Sequence, residues 1–484
     1  MNQNSTGKSA LPVLISVFFF WGFVAASNDI LIPVFKEKLN LEQWQSQLIS
    51  VAFYVAYTVG SLIYFMVSKA TGGDLLNKIG YKNGIAFGLV FSALGTLLFY
   101  PAAMTSSFGL MIAGLFVVGL GFSLQQIAAN PLVINIGDPK KGSQRLSLAG
   151  GINNIGTTIG PVIVSLAIFG SLKAGAKLDN LESVKTPYLI LGAAFLIVAV
   201  IFKFSNLPNK LVHEEDDTKT SSSFSSSIRK SAIHYPQLWL GMIGIFVYVG
   251  VEVSTASNLP EFMRQHLHTS TDQVAPYVSL FWASLMIGRW TGAVGAFDLK
   301  SGTKKILGFV LPYAAFGVFL LVNLLAGHDL TPFYLYLVVI IAIIIANMVS
   351  KGNPARQLLI FSTLGITSLL IAILADGMVS VYAIISVGLF CSTLWPCIFT
   401  LAIAGLGKYT NDGSRLLIMM IMGGGLISWL QGFLAKEQLL GIQWSYLTGI
   451  VCFAYLAFYG WRVKQILKQQ GIDYDTVAGG DSSH

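Results

Sequence analysis

MIGIFVYVGVEVSTASNL, Met242 to Leu259, runs ten residues without a charge, admits Glu252, and then continues apolar through Val253. With its flanks it reaches the roughly 20 mostly apolar residues that a bilayer-crossing helix needs. A carboxylate at membrane depth costs about 2.5 to 3.5 kcal/mol on insertion scales, so it is by default functional and faces a cavity or a partner. FFFWGFVAASNDILIPVF, Phe18 to Phe35, repeats the pattern with Asp29. Of the 22 acidic residues, only these two lie inside long apolar stretches. The bland reading places both near helix ends, snorkelling to water, and Asp29 does precede Pro33. The functional reading of two carboxylates in an otherwise apolar chain is cation coupling.

Composition agrees with a polytopic membrane protein. The 484 residues are 54% hydrophobic and 11% charged, with mean hydropathy +0.69, which is incompatible with a soluble surface. Fourteen helical spans are expected, at about 11–35, 46–68, 83–103, 108–135, 146–170, 187–206, 237–259, 272–297, 304–326, 331–350, 357–376, 378–406, 413–435 and 443–464. The first resembles a secretory signal in its charge and small residues, but the apolar run resumes after Asp29 and further spans follow. Cys391, Cys397 and Cys452 all fall inside spans and are read as packing residues, not a disulfide framework.

Lys and Arg set orientation. With the N-terminus cytoplasmic, 23 of the 30 fall inside and 7 outside. Both termini are therefore expected in the cytoplasm of an inner-membrane protein. The net charge of +8 is a topology signal, and no nucleic-acid partner is implied.

Residues 207–236, NLPNKLVHEEDDTKTSSSFSSSIRKSAIHYP with its neighbours, are Ser-rich and charged and read as a cytoplasmic linker. The run His213, Glu214, Glu215, Asp216 and Asp217 is read as solvated charge, not a metal site. The linker divides an N-terminal six-helix half, 1–206, from a C-terminal half, 237–464, which precedes a tail at 465–484. The halves look related, as transporter repeats commonly are: GSQRL around Arg145 matches DGSRL around Arg415, Pro131 matches Pro396, and Pro33 matches Pro260. These matches hold if the helices at about 304–350 are an inserted pair, leaving six plus six. That pair carries only Asn323 and Asn347 as notable polar groups, which suits a peripheral or dimer-facing role.

Six segments in order carry a family resemblance: Trp21 to Pro33, Gln125 to Pro131, Arg145 to Pro161, Phe246 to Ser254, Ile287 to Gly292 and Thr393 to Phe399. GGDLLNKIGYK adds the cytoplasmic signature between spans two and three. The chain resembles the major facilitator superfamily in its fucose permease group, close to the glucose/galactose branch. That resemblance implies an all-α major facilitator fold and a cation-coupled symporter of a neutral monosaccharide. It ties Asp29 to proton coupling and sugar binding. Where the fucose branch has a second carboxylate this chain has Gln126, while Gln126 and Glu252 match the glucose/galactose branch. Gly150 replaces a glutamine that lines the fucose pocket, so glucose, galactose, mannose or an N-acetyl hexosamine is implied ahead of fucose.

The residues themselves suit such a substrate. A hexose presents hydroxyls that donate and accept, so its site wants amides, carboxylates and aromatic faces at depth. Asn28, Gln125, Gln126, Asn130, Asn153, Asn154 and Asn258 are the candidate amides, with Trp395 as a flat platform; each amide can equally serve an interhelical hydrogen bond. Gln126 and Asn130 share one helical face, and Pro131 frees a backbone carbonyl. Arg289 either reaches a buried carboxylate or ends span eight at the cytoplasm. Asp29 and Glu252 are the candidate ion-coupling pair, for a proton or for a sodium ion held near one of them. Gly150, Gly151, Gly156, Gly160 and Gly423 to Gly425 read as helix-packing surfaces. No nucleophile, metal set or nucleotide loop is visible, so no enzyme and no cofactor are expected. A drug exporter of the same superfamily and a non-transporting sugar sensor are the competing readings.

Overall fold

The computed structural model describes residues 11–24, 43–136, 141–169, 185–205, 207, 209, 231–268, 271–297 and 299–475. Asn28, Asp29, Pro33, the acidic run 214–217 and the end of the tail lie outside them. Helix occupies most of the described part of each expected interval, with breaks such as that at Ser392 and Thr393. The helices are α1 (Leu11–Val24), α2 (Gln43–Ala70), α3 (Tyr81–Thr105), α4 (Phe108–Asn135), α5 (Gly142–Phe169), α6 (Lys185–Phe204) and α7 (Pro236–Leu267). They continue with α8 (Thr271–Ala293), α9 (Ser301–Leu325), α10 (Thr331–Ser350), α11 (Pro354–Leu374), α12 (Met378–Ile403), α13 (Gly407–Leu434) and α14 (Gly441–Gln469). Ten of these are long and apolar enough to cross a membrane; α1 and most of α6 form two shorter apolar helices. This is an all-α, multi-pass membrane protein.

Local chemistry sets the helix ends. Ser107 caps α4 by accepting from the Leu110 amide. The Asn353 side chain accepts from the Ala355 and Arg356 amides, with Pro354 in the first turn of α11, where its missing N–H costs nothing. Several boundaries differ from the sequence reading: α13 starts at Gly407, α14 runs to Gln469, and α7 continues through Pro260 to Leu267, since neighbouring helices can re-satisfy the carbonyl that a proline frees.

The two halves repeat a packing scheme. α3 packs on α4 and α6, and α2 on α4. Likewise α11 packs on α12 and α14, and α8 on α12. Between the halves, α5 lies on α8 and α12, while α13 lies on α2 and α4. Glycines permit close crossings within each half: a Cβ on Gly156 of α5 would lie 2.2 Å from the Phe19 carbonyl oxygen of α1, and one on Gly423 of α13 2.1 Å from that of Phe246 of α7. Gly425 has no such neighbour. The pair α9 and α10 packs on α8 and touches α11 and α12. It is fastened by Ser284 to Tyr336 at 2.7 Å and by the Asn347 amide to the Thr291 carbonyl at 3.2 Å. Its outer face is apolar and exposed at Ile306, Leu324, Val338 and Met348. Cys391, Cys397 and Cys452 are buried free thiols.

Candidate functional site

Two prolines open the backbone where the halves meet. A proline inside a helix cannot donate to the carbonyl four residues back. Pro131 in α4 thus frees the Ile127 carbonyl, which accepts from Ser414 Oγ of α13 at 3.0 Å. In α12 the helix breaks at Ser392 and Thr393, and Pro396 frees the Ser392 carbonyl. That oxygen accepts from Arg289 Nε of α8 at 3.0 Å.

Arg289 then reaches across the seam. Its Nη1 donates to Asn154 Oδ1 of α5 at 2.6 Å and, at 3.4 Å, to the Gly150 carbonyl. Neighbouring Trp290 donates its indole N–H to the Gly151 carbonyl at 3.2 Å. Space for the guanidinium depends on Gly150, since a Cβ there would lie 3.0 Å from Arg289 Cδ. Arg289 is half-buried, one turn from the end of α8, and its hydrogen-bond partners are two carbonyls and an amide oxygen, with no direct carboxylate pair.

Glu252 is half-buried on α7 and accepts a hydrogen bond from the Tyr248 hydroxyl one turn earlier. Arg289 lies within its electrostatic reach, and the two form no direct ion pair. The Tyr248 ring is 6.2 Å from that of Trp395 and tilted against it. Trp395 is also half-buried, two residues past the α12 break. A carboxylate, a guanidinium and two aromatic rings thus lie close to one another, with Glu252, Arg289 and Trp395 each half-buried.

The amides on α4 behave differently. Gln125 is fully buried, accepting from Trp21 Nε1 at 2.6 Å and donating to Ser92 Oγ at 3.0 Å. Gln126, one residue on, is half-buried and donates to the Tyr57 hydroxyl at 3.2 Å. Asn130 is buried, and its Nδ2 has no hydrogen-bond partner among the described residues. Asn153 donates to the Phe18 carbonyl at 2.9 Å, holding α5 to α1. Asn154 joins the Arg289 network, and Asn258 bonds the Ser254 carbonyl within its own helix. Sequence reasoning missed Tyr248 and Tyr57. Tyr248 was findable, four residues from Glu252 on one helical face. Among the described residues no group of three His, Cys, Asp or Glu could hold a metal ion.

At one end of the bundle the seam is closed by polar bonds. Asp74 accepts from Tyr64 at 2.9 Å and from the Asn411 amide of α13 at 2.7 Å, and Asn411 accepts from the Tyr81 hydroxyl. This is the GGDLLNKIGYK loop, so the signature recognised in sequence holds the two halves together.

Residues 13–350 match the Major Facilitator Superfamily, and the chain belongs to that superfamily. It is 34% identical over 453 residues to a glucose/galactose transporter of Brucella abortus, with 93% of each chain covered. It is 29% identical over 468 residues to a putative glucose/galactose transporter of Helicobacter pylori, covering 94% of this chain and 97% of that one. To the L-fucose-proton symporter of Escherichia coli it is 27% identical over 458 residues, covering 91% and 90%. The crystal structure of the superfamily transporter FucP in its outward conformation superposes with a TM-score of 0.71 at 25% identity, covering 95% of this chain and 99% of that one.

Proposed function

We propose that the chain is a cation-coupled symporter that takes up a neutral monosaccharide by alternating access, of the glucose, galactose, mannose or N-acetyl hexosamine type. The observation that carries this is Glu252: a half-buried carboxylate on α7, bonded to Tyr248 and within reach of Arg289, with the Tyr248 ring near Trp395. Relatives named as glucose/galactose transporters and as L-fucose-proton symporters support both the substrate class and ion coupling. Asp29 and Glu252 carry the coupling ion, a proton or sodium. Gln126, Asn130, Asn154, Arg289 and Trp395 contact the sugar, and Asn28 and Asp29, which follow α1 in sequence, belong to the same proposed set. Gln125 and Asn153 support that set from behind, since their amides are engaged within the N-terminal half.

Repetition of the packing scheme supports two six-helix halves, 1–206 and 237–464, joined by a linker at 207–236, with α9 and α10 inserted and a cytoplasmic tail from 465. The excess of Lys and Arg supports an inner-membrane protein with both termini in the cytoplasm. One cation moving inward down 100 mV supplies about 2.3 kcal/mol, enough for roughly fiftyfold accumulation of a neutral sugar. The test is uptake of radiolabelled glucose, galactose and fucose into proteoliposomes, with pH and sodium gradients imposed separately. Accumulation driven by one gradient, with fucose the weakest competitor, is expected. Flux that ignores both gradients, or fucose ranking first, overturns the reading.

A further inference from the structure

A groove of about 440 Å³ lies far from the central seam, where the start of α7 meets the end of α14. It has two chemically distinct ends. Trp239, Leu240 and Phe458 form an apolar wall, and Trp239 and Phe458 are 44% and 46% exposed. Arg462, Gln469 and Gln470 form the polar end. The walls are fixed: Tyr455 donates to the Leu240 carbonyl at 2.9 Å, Tyr459 to that of Gln237 at 3.2 Å, and the Gln237 and Gln470 amides exchange bonds at 2.9 and 3.0 Å.

Charge at the groove mouth is unmatched. Lys464 and Lys468 are matched by Asp475 and Asp473, at 2.7 and 3.9 Å. Arg462, exposed and at the groove mouth, bonds only the Gln465 side chain at 2.9 Å and meets no carboxylate among the described residues. An unmatched guanidinium above an exposed aromatic wall, at the end of membrane-spanning helices, complements an amphipathic anion.

We propose that this groove binds an anionic glycerophospholipid from the surrounding bilayer, its phosphodiester on Arg462 and Gln469 and one acyl chain along Trp239, Leu240 and Phe458. Guanidinium offers a fork of donors that fits phosphate oxygens, and basic pockets between helices near the headgroup level are where such lipids are held. Because α7 also carries Glu252, the site sits on the helix that bears the coupling carboxylate.

The test is native mass spectrometry of the full chain in neutral detergent, titrated with phosphatidylglycerol, phosphatidylcholine or inorganic phosphate. Phosphatidylglycerol is expected to be retained most tightly. Arg462→Gln should weaken it about fivefold, the worth of one basic side chain at an anionic surface. Arg462→Lys should recover part of that loss, and Lys305→Gln, at an exposed lysine outside the groove, should change nothing. Trp239→Ala should weaken the lipid without affecting inorganic phosphate. Equal retention of phosphatidylcholine, full competition by inorganic phosphate, or equal losses at Arg462 and Lys305 would each overturn the proposal. Sugar uptake is read separately, so failure here leaves the transport reading untouched.

Discussion

Both α4 and α12 carry an internal proline that releases a carbonyl, yet the two carbonyls are answered in different chemical terms. Ile127 in α4 is met by the neutral hydroxyl of Ser414 from the other half. Ser392 in α12 is met by Arg289, whose guanidinium goes on to Asn154 of the other half. The polar groups nearby follow the same division. On α4, Gln125 is sealed between Trp21 and Ser92, whereas on the C-terminal side Glu252 is half-buried with Tyr248 as its hydrogen-bond partner. A satisfied buried amide fixes geometry; a half-buried carboxylate can change charge state or bind an ion. The sealed Gln125 thus serves as scaffold, and under the proposed function Glu252 is the responsive group of the C-terminal half as Asp29 is of the N-terminal half.

The sharpest way to break this contrast is Glu252→Gln. The amide keeps the Tyr248 hydrogen bond but cannot carry an ionic cycle. Gradient-driven accumulation should fall from up to about fiftyfold to near unity, while equilibrium sugar binding stays within a few fold of wild type. Unchanged ion dependence in proteoliposome uptake would move the responsive element away from α7. Asp29→Asn is the matching experiment on the N-terminal side, with loss of accumulation and survival of exchange expected.

Gly150→Gln acts on the bridge itself. The added Cβ would meet Arg289 Cδ at 3.0 Å and Nε at 3.3 Å, pushing the guanidinium off the Ser392 carbonyl. A hydrogen bond to a charged group contributes about 1.5 to 3 kcal/mol, so a loss of roughly tenfold or more in sugar affinity is expected. If the effect runs through Arg289, adding Gly150→Gln to Arg289→Ala should cost little further, which a double-mutant cycle in binding assays measures. Additive losses would sink the link.

These two experiments also mark where the sequence was legible. Hydropathy placed the helices, because a span must hide its backbone from lipid whatever it packs against. Glu252 and Asp29 stood out because charge is costly there. Gln125 and Gln126 could not be told apart: both lie on one uniformly apolar helix, and one residue of rotation separates a sealed amide from a half-buried one. Arg289 was ambiguous for a related reason. Its partner is a backbone carbonyl released by a proline more than a hundred residues away, and no local pattern points to that pairing. The Ser414 to Ile127 bond is longer in range still.

Gln125→Leu tests the scaffold role. It leaves the buried Trp21 indole N–H without its acceptor, at a cost of about 1 to 3 kcal/mol. Ser92 keeps its bonds to the Gly88 and Val118 carbonyls. Thermal melting in detergent should drop by several degrees, with the ion dependence of the surviving uptake unchanged. A normal melting temperature with altered coupling would overturn the scaffold role of Gln125.

The smallest effect lies outside the membrane, where the chain after α14 folds back on the helix ends. Asp475 accepts from Lys464 at 2.7 Å and Arg356 at 3.1 Å. The Lys464 hydrogen bond and the charges of Lys464, Arg356 and Lys468 hold its carboxyl below the usual carboxylate range. A group whose pKa is depressed by folding stabilises the docked tail at all pH values above its unfolded pKa, near 3.9. That contribution disappears as pH falls through the lower folded value. Docking should therefore be independent of pH from neutrality down to about pH 4 and weaken below it. All three side chains are about a third exposed or more, so the contribution is on the order of 0.5 kcal/mol. Hydrogen exchange at Ile472, whose amide bonds the Leu467 carbonyl at 2.9 Å, reads the docking directly. Asp475→Asn should lower its protection slightly at pH 6 and abolish the acid-side change. Acid sensitivity that persists in that variant would assign the titration to another group.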